Sequence, residues 1–149
     1  MTYRQKFTTK WADFDPNRHM RHSAYYDYAA EIRVRFFSHY GYAIEEFAKW
    51  HIGPILFKEE ASFYKEISLG EDIEVDMKLE AASENLERWR FTHNIIKADG
   101  AIAATVKVYG AWIDTHKRKL TAPPEAFIRI FKDLAKTADF SEIPIKNEK

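Results

Sequence analysis

Cysteine is absent from this 149-residue sequence. That excludes a disulfide framework, a thiolate nucleophile and Cys-ligated zinc, so any catalysis must run on carboxylates, histidines or hydroxyls. An excess of either charge is also lacking, since 23 basic and 23 acidic side chains give a formal net charge of zero. The broad basic footprint of a nucleic-acid binder is therefore missing. No run of about 18 or more apolar residues occurs, and Met1 to Lys10 (MTYRQKFTTK) holds no apolar stretch of the signal-peptide kind. Neither a membrane span nor secretion is expected, and a cytoplasmic location is. Hydrophobic residues make up 46% and aromatic residues 15%. At this length that is core material enough for a single domain over 1–149, without metals or disulfides.

Periodicity divides the chain. Tyr3, Gln5, Phe7, Thr9 and Trp11 alternate with polar residues and predict a half-buried first strand from Tyr3 to Asp13. Asp13 to Arg21 (DFDPNRHMR) carries proline, asparagine and clustered polar groups, as irregular connections do. From Ser23 the period becomes helical, with Tyr25, Tyr28, Ala29, Ile32, Phe36 and Tyr40 on one stripe. Ser23 is the expected N-cap, Glu31 and Arg35 an i,i+4 pair, and Gly41 the left-handed stop. A short second helix is expected over Ile44 to Trp50, closed by Gly53-Pro54. Four long strands should follow, over Ile55–Ile67, Asp72–Ala81, Leu86–Ala98 and Ala101–Asp114, with Asp99-Gly100 as a tight hairpin. Pro123-Pro124 ends the sheet, and Phe127, Ile130, Phe131 and Leu134 mark a terminal helix over Glu125–Ala135. Asp139 to Lys149 reads as a loosely held tail.

One strand, one long helix and four long strands imply an α+β fold, a five-stranded antiparallel sheet wrapped around that helix. Such a sheet exposes an edge, and pairing with a second copy covers it, so a homodimer or homotetramer is expected.

The segment Trp11-Ala12-Asp13-Phe14-Asp15-Pro16-Asn17-Arg18-His19-Met20-Arg21-His22-Ser23-Ala24-Tyr25, followed by Tyr28, Glu31 and Arg33, concentrates the chemistry. A carboxylate such as Asp15 can act as nucleophile or general base, and free N–H groups near His22 to Tyr25 at a helix start can hold a developing oxyanion. The default reading of an Asp beside Pro in a polar loop is a turn or capping residue. His19 and His22 stand three apart with Asp13 and Asp15 nearby, but no H-E-x-x-H pair is present and no metal is expected. Glu59 shares a predicted strand face with Phe57, Ala61 and Phe63, where burial would raise its pKa, and it is the reserve catalytic candidate.

The segment resembles the hotdog-fold acyl-CoA thioesterases of the 4-hydroxybenzoyl-CoA thioesterase family, including those associated with the Tol-Pal system. The likeness rests on D-x-D, on the tyrosines, Glu31 and Arg33 of the helix, and on Pro54 and Gly70-Glu71-Asp72 in family order. It implies a hotdog fold and hydrolysis of an acyl-CoA to free acid and CoA without a cofactor. Asp15 would be the catalytic carboxylate and His22 its companion, with Ser23 and Tyr25 binding substrate. The resemblance further places a basic segment with coenzyme contacts near Arg88 and Arg90, which a period of two puts on one strand face. Two positions depart from the family. Arg18 stands where glycine is common, so the loop backbone is expected to differ there. Trp11 replaces a tyrosine and offers no phenol hydroxyl. A hydratase or dehydratase of acyl thioesters, or a non-catalytic acyl-thioester binding protein, are the competing readings.

Overall fold

A computed structural model describes residues 2–145. The elements in chain order are β1 (Tyr3–Phe7), α1 (Ala24–His39), α2 (Ile44–Lys49), β2 (Ile52–Phe63), β3 (Ile73–Ala82), β4 (Arg88–Ile96), β5 (Ile102–Asp114), β6 (Lys119–Leu120), α3 (Glu125–Lys132) and β7 (Lys136–Glu142). The main sheet runs β1-β3-β4-β5-β2, with every pairing along it antiparallel. It curls around α1, giving the hotdog fold expected of the sequence.

Helix α1 stops for a local reason. Gly41 takes φ +87°, and Tyr42 N–H donates to Phe37 O at 2.8 Å while Gly41 N–H donates to Ser38 O at 3.0 Å. These paired bonds satisfy carbonyls at the end of the helix, and only glycine enters that conformation without steric cost. The buried stripe holds Tyr25, Tyr28, Ala29, Ile32, Phe36 and Phe37, and it packs against Trp89, Phe91, Val106, Val108 and Trp112 on the sheet. Helix α3 completes the core by stacking Phe127 on Phe37, with ring centroids 5.3 Å apart.

Three expectations are corrected. The first strand ends at Phe7, and Trp11–Asp13 forms a 3-10 turn that leaves Trp11 81% exposed. Alternation continued past the strand because Thr9 turns aside, its hydroxyl donating to Glu71 O at 2.8 Å. Gly53-Pro54 does not close a helix but lies inside β2, where Pro54 sits opposite Trp112. An edge strand tolerates proline because no outer neighbour requires the missing N–H. The expected tail is tied down as far as Glu142, since β7 pairs in parallel with β3 through Leu79, Ala81 and Ala82. Residues 146–149 of that tail lie outside the described residues.

β1 covers Ile73–Met77 of β3 and β7 covers Leu79–Ala82. The outer sides of β1 and β2 have no paired strand among the described residues, and β2 is the longer of these two edges. Leu56, Phe57 and Phe63 are exposed on β2. A bulge between Leu56 and Lys58 switches the faces of this strand. Phe57 therefore points outward to Tyr109, with ring centroids 5.4 Å apart, whereas Phe63 points inward to Tyr25 at 5.0 Å. Phe57 thus leaves the face that Glu59 was expected to share with it.

Candidate active site

The loop before α1 is stitched to its surroundings. Met20 N–H donates to Ile67 O at 2.9 Å, and Leu69 N–H donates to Arg18 O at 2.9 Å, so the segment after β2 forms the loop's floor. Asp13 is 1% exposed. One of its carboxylate oxygens, Oδ2, accepts from Lys10 N–H at 3.0 Å and from the Tyr28 hydroxyl. Burial, reinforced by that bond, raises the Tyr28 phenol well above its ordinary value. The first acid of D-x-D is thus a buried brace between loop and helix.

Asp15 sits at the tip. Its Oδ1 accepts from Asn17 N–H at 2.9 Å and His19 N–H at 3.2 Å, closing a turn in which Arg18 N–H donates to Asp15 O at 2.9 Å. Arg18 takes φ +63°, the left-handed conformation that glycine favours. The loop therefore keeps that backbone despite the substitution, and the expected change is not seen. For a side chain other than glycine this conformation costs about 1–2 kcal/mol, and the surrounding hydrogen bonds hold it.

Asp15, His22 and Tyr25 line one cleft of about 400 Å³, with Phe63 and Glu66 on its far wall. His22 is exposed at the start of α1. Tyr25 is 3% exposed, and its phenol is raised first by burial and then by the charges of Glu66, Glu71 and Asp15. It is a neutral O–H donor at any working pH. Ser23 occupies the N-cap position of α1, as expected, but its backbone is helical and its side chain makes no capping bond, its hydroxyl accepting instead from Arg21 Nη1. The first-turn N–H groups of α1 thus have no side-chain cap from that residue. His19 is engaged with Glu66, Nε2 to Oε2 at 3.0 Å. Among the described residues no group of three or more His, Asp or Glu is arranged to hold a metal.

Arg88 and Arg90 share the outer face of β4, as their spacing implies. Arg88 Nη1 donates to the Tyr109 hydroxyl at 2.9 Å, and the Arg90 guanidinium lies 4.8 Å from the Tyr109 ring centroid. They are not brought to Asp15 within one chain. Arg88 is level with Ala111 and Ile55, whereas the cleft lies at the Phe63 end, level with Ala104 and Ile95. Seven strand residues, from Arg88 to Ile95, separate these levels by roughly 23 Å. Glu59, the reserve candidate, stands opposite Val108 on the edge strand β2 and is exposed in the single chain.

Sequence reasoning passed over several buried polar groups, among them His93, which is 0% exposed. It stands on β4 in the same inward register as Trp89, Phe91 and Ile95. A histidine at period two within an apolar series was the available signal.

A sequence profile described as the thioesterase-like superfamily matches residues 9–131. No curated protein matches the sequence. Among solved structures, a hypothetical protein of Staphylococcus aureus in complex with CoA superposes with TM-score 0.82 at 22% identity, over 93% of this chain and 89% of the other. A 1,4-dihydroxy-2-naphthoyl-CoA thioesterase of Synechocystis gives TM-score 0.80 at 15% identity, over 90% and 98%. A DHNA-CoA thioesterase of S. aureus gives 0.79 at 16%, over 88% and 89%.

Proposed function

We propose that this chain, which belongs to the thioesterase-like superfamily, hydrolyses acyl-CoA thioesters at the cleft beside Asp15. The observation that carries the reading is the meeting of Asp15, His22 and Tyr25 in that cleft at the start of α1. In the proposed reaction Asp15 accepts a proton from water as the water oxygen bonds to the thioester carbon. The carbonyl oxygen, gaining charge, is held by N–H groups at the helix start and by the Tyr25 hydroxyl. The C–S bond then breaks, and the CoA thiolate leaves and takes up the proton. His22 and Ser23 border the reacting carbonyl. The CoA-bound and thioesterase neighbours support an acyl-CoA as the ligand.

The open β2 edge supports a homodimer. Two β2 strands joined antiparallel about a centre near Glu59 would bring Ile55 of one copy level with Phe63 of the other. Arg88 of the second copy would then stand at the Asp15 end, within reach of the coenzyme's phosphates. In this reading the site belongs to two subunits.

One observation favours a binding protein without turnover. Asp15 Oδ1 already holds its own loop together, as a turn residue would. Measuring thiol release from a panel of acyl-CoAs decides between the two. Hydrolysis by the wild type, with a loss on the order of 10²-fold or more in Asp15→Asn and an unchanged circular dichroism spectrum, is the expected result. Binding without release, or near wild-type turnover in Asp15→Asn, would overturn the assignment.

A further inference from the structure

Arg33, half-buried, and His93, fully buried, form a pair that the proposed reaction does not use. Arg33 Nη1 donates to His93 Nε2 at 3.0 Å, and His93 Nδ1 lies 2.9 Å from Asp76 O. A guanidinium has no acceptor to offer, so Nε2 accepts and Nδ1–H donates to the carbonyl. That is the neutral tautomer. Burial and the adjacent guanidinium push His93 down to about 3, so the imidazole brings no charge of its own. Arg33 is drawn down to about 10 by burial and remains a cation at neutral pH. No carboxylate lies within ion-pair distance of it among the described residues. Glu59, on the open edge, acts on it only through space.

This cation lines a second cavity, separate from the Asp15 cleft and about 350 Å³ in volume. The remaining wall is apolar and largely aromatic, including Phe37, Phe47, Trp89, Phe91 and Trp112. Trp89 and Trp112 are 1% and 0% exposed, and among the described residues neither indole N–H has an acceptor. Trp89 is fixed in place because it lies over Gly110, where an added Cβ would come within 2.5 Å of its ring. The lining thus combines one cation that has no ion-pair partner among the described residues with an otherwise apolar surface, the two indole N–H groups being closed off behind it. Such a set complements a group that is apolar along its body and anionic, acceptor-rich, at its end.

We propose that this cavity receives the far end of the acyl group, and that the preferred substrates carry a carboxylate there, as the monothioesters of dicarboxylic acids do. The inference rests on the thioesterase reading and adds the substrate class. An anion beside Arg33 gains a charge-assisted hydrogen bond on a largely apolar wall, whereas a methyl group there adds no partner for the guanidinium. The apolar wall accepts the intervening carbons of either. Selectivity therefore comes from the terminal group rather than from chain length alone.

The test compares kcat/KM for glutaryl-, adipyl- and suberyl-CoA with pentanoyl-, hexanoyl- and octanoyl-CoA, matched in length. The expected result is a preference for the carboxylate-ended member on the order of tenfold or more in at least one pair. Arg33→Met should bring that ratio close to one, and Arg33→Lys should retain part of it. The wild-type ratio needs no variant, so the proposal stays testable if Arg33→Met fails to fold. Thiol release with ratios at or below one in every pair would overturn this inference and leave the thioesterase reading standing. If no acyl-CoA releases thiol, the thioesterase reading fails instead, and calorimetry with free adipate and hexanoate decides the cavity's preference. Binding of adipate over hexanoate supports the anionic site, and equal binding or none overturns it.

Discussion

The hydroxyl of Tyr28, on α1, donates to the carboxylate of Asp13, 15 residues earlier in the chain. Asp13 also accepts from Lys10 N–H, and its own carbonyl accepts from Arg21 N–H at 2.8 Å, closing the base of the loop that carries Asp15. One buried side chain therefore fixes both the entry to this loop and its distance from the helix. Asp13→Ala leaves a phenol and a backbone amide without their acceptor, at a cost of about 1–3 kcal/mol for each buried group left unpaired. Tyr28→Phe removes only the hydroxyl and should cost less. Urea unfolding measures both, and equal stabilities for the two variants and the wild type would refute the brace.

At Arg18 two opposing effects decide the outcome. Glycine relieves the left-handed strain, about 1–2 kcal/mol, but its freer unfolded chain gives back about 0.5–1 kcal/mol. Arg18→Gly should therefore hold or slightly raise stability and keep the Asp15 turn intact. Arg18→Val, whose branched side chain resists φ +63°, should lower the unfolding midpoint. A more stable valine variant would contradict the backbone geometry.

Much of this was legible in the residues, for physical reasons that differ by element. The stripe from Tyr25 to Phe36 announced α1 because helical spacing and burial coincide there, and Gly41 marked its end because only a left-handed residue closes it. That Arg88 and Arg90 share one strand face followed from alternation alone. β7 was illegible because Lys136–Glu142 alternates weakly, and its order comes from the free half of the β3 edge. The turn at Trp11–Asp13 was hidden because a side-chain bond at Thr9, not a change of pattern, ends the strand. The clustering of Asp15, His22 and Tyr25 was anticipated from a motif. The joining of Arg33 to His93 was not, because they lie 60 residues apart in sequence and only the curl of the sheet over α1 brings them into contact.

His93 predicts an acid-sensitive fold. The unfolded chain binds a proton at this histidine below about pH 6.5, whereas the folded chain resists protonation until about pH 3. Between those limits the unfolded state holds more protons, so stability falls as pH falls, by about 1.4 kcal/mol per unit from this residue. Above about pH 6.5 the contribution is complete and constant. Denaturant titrations at pH 7, 5.5 and 4.5 measure the slope. His93→Gln keeps an acceptor for Arg33 but cannot titrate, so its slope should be shallower than that of the wild type. Parallel slopes would show that other groups govern the acid response.

The proposed coenzyme contact of Arg88 makes the sharpest demand on assembly. Within one chain Arg88 lies at the opposite end of the sheet from Asp15, held by Tyr109 and with its guanidinium 5.8 Å from the Phe57 ring centroid. For it to bind the phosphates of a coenzyme whose thioester is at Asp15, a second copy must join along β2. Light scattering should then give at least twice the monomer mass of 17.6 kDa. Arg88→Ala should raise the KM for acyl-CoA several-fold and leave kcat nearly unchanged, because the contact is remote from the reacting bond and equally strong in ground and transition states. Added salt should weaken binding to the wild type more than to the variant, since the ion pair is partly exposed and therefore screened. A monomeric mass together with an unchanged KM would return Arg88 to the role the single chain already gives it, a brace for Tyr109 on the outer face of the sheet.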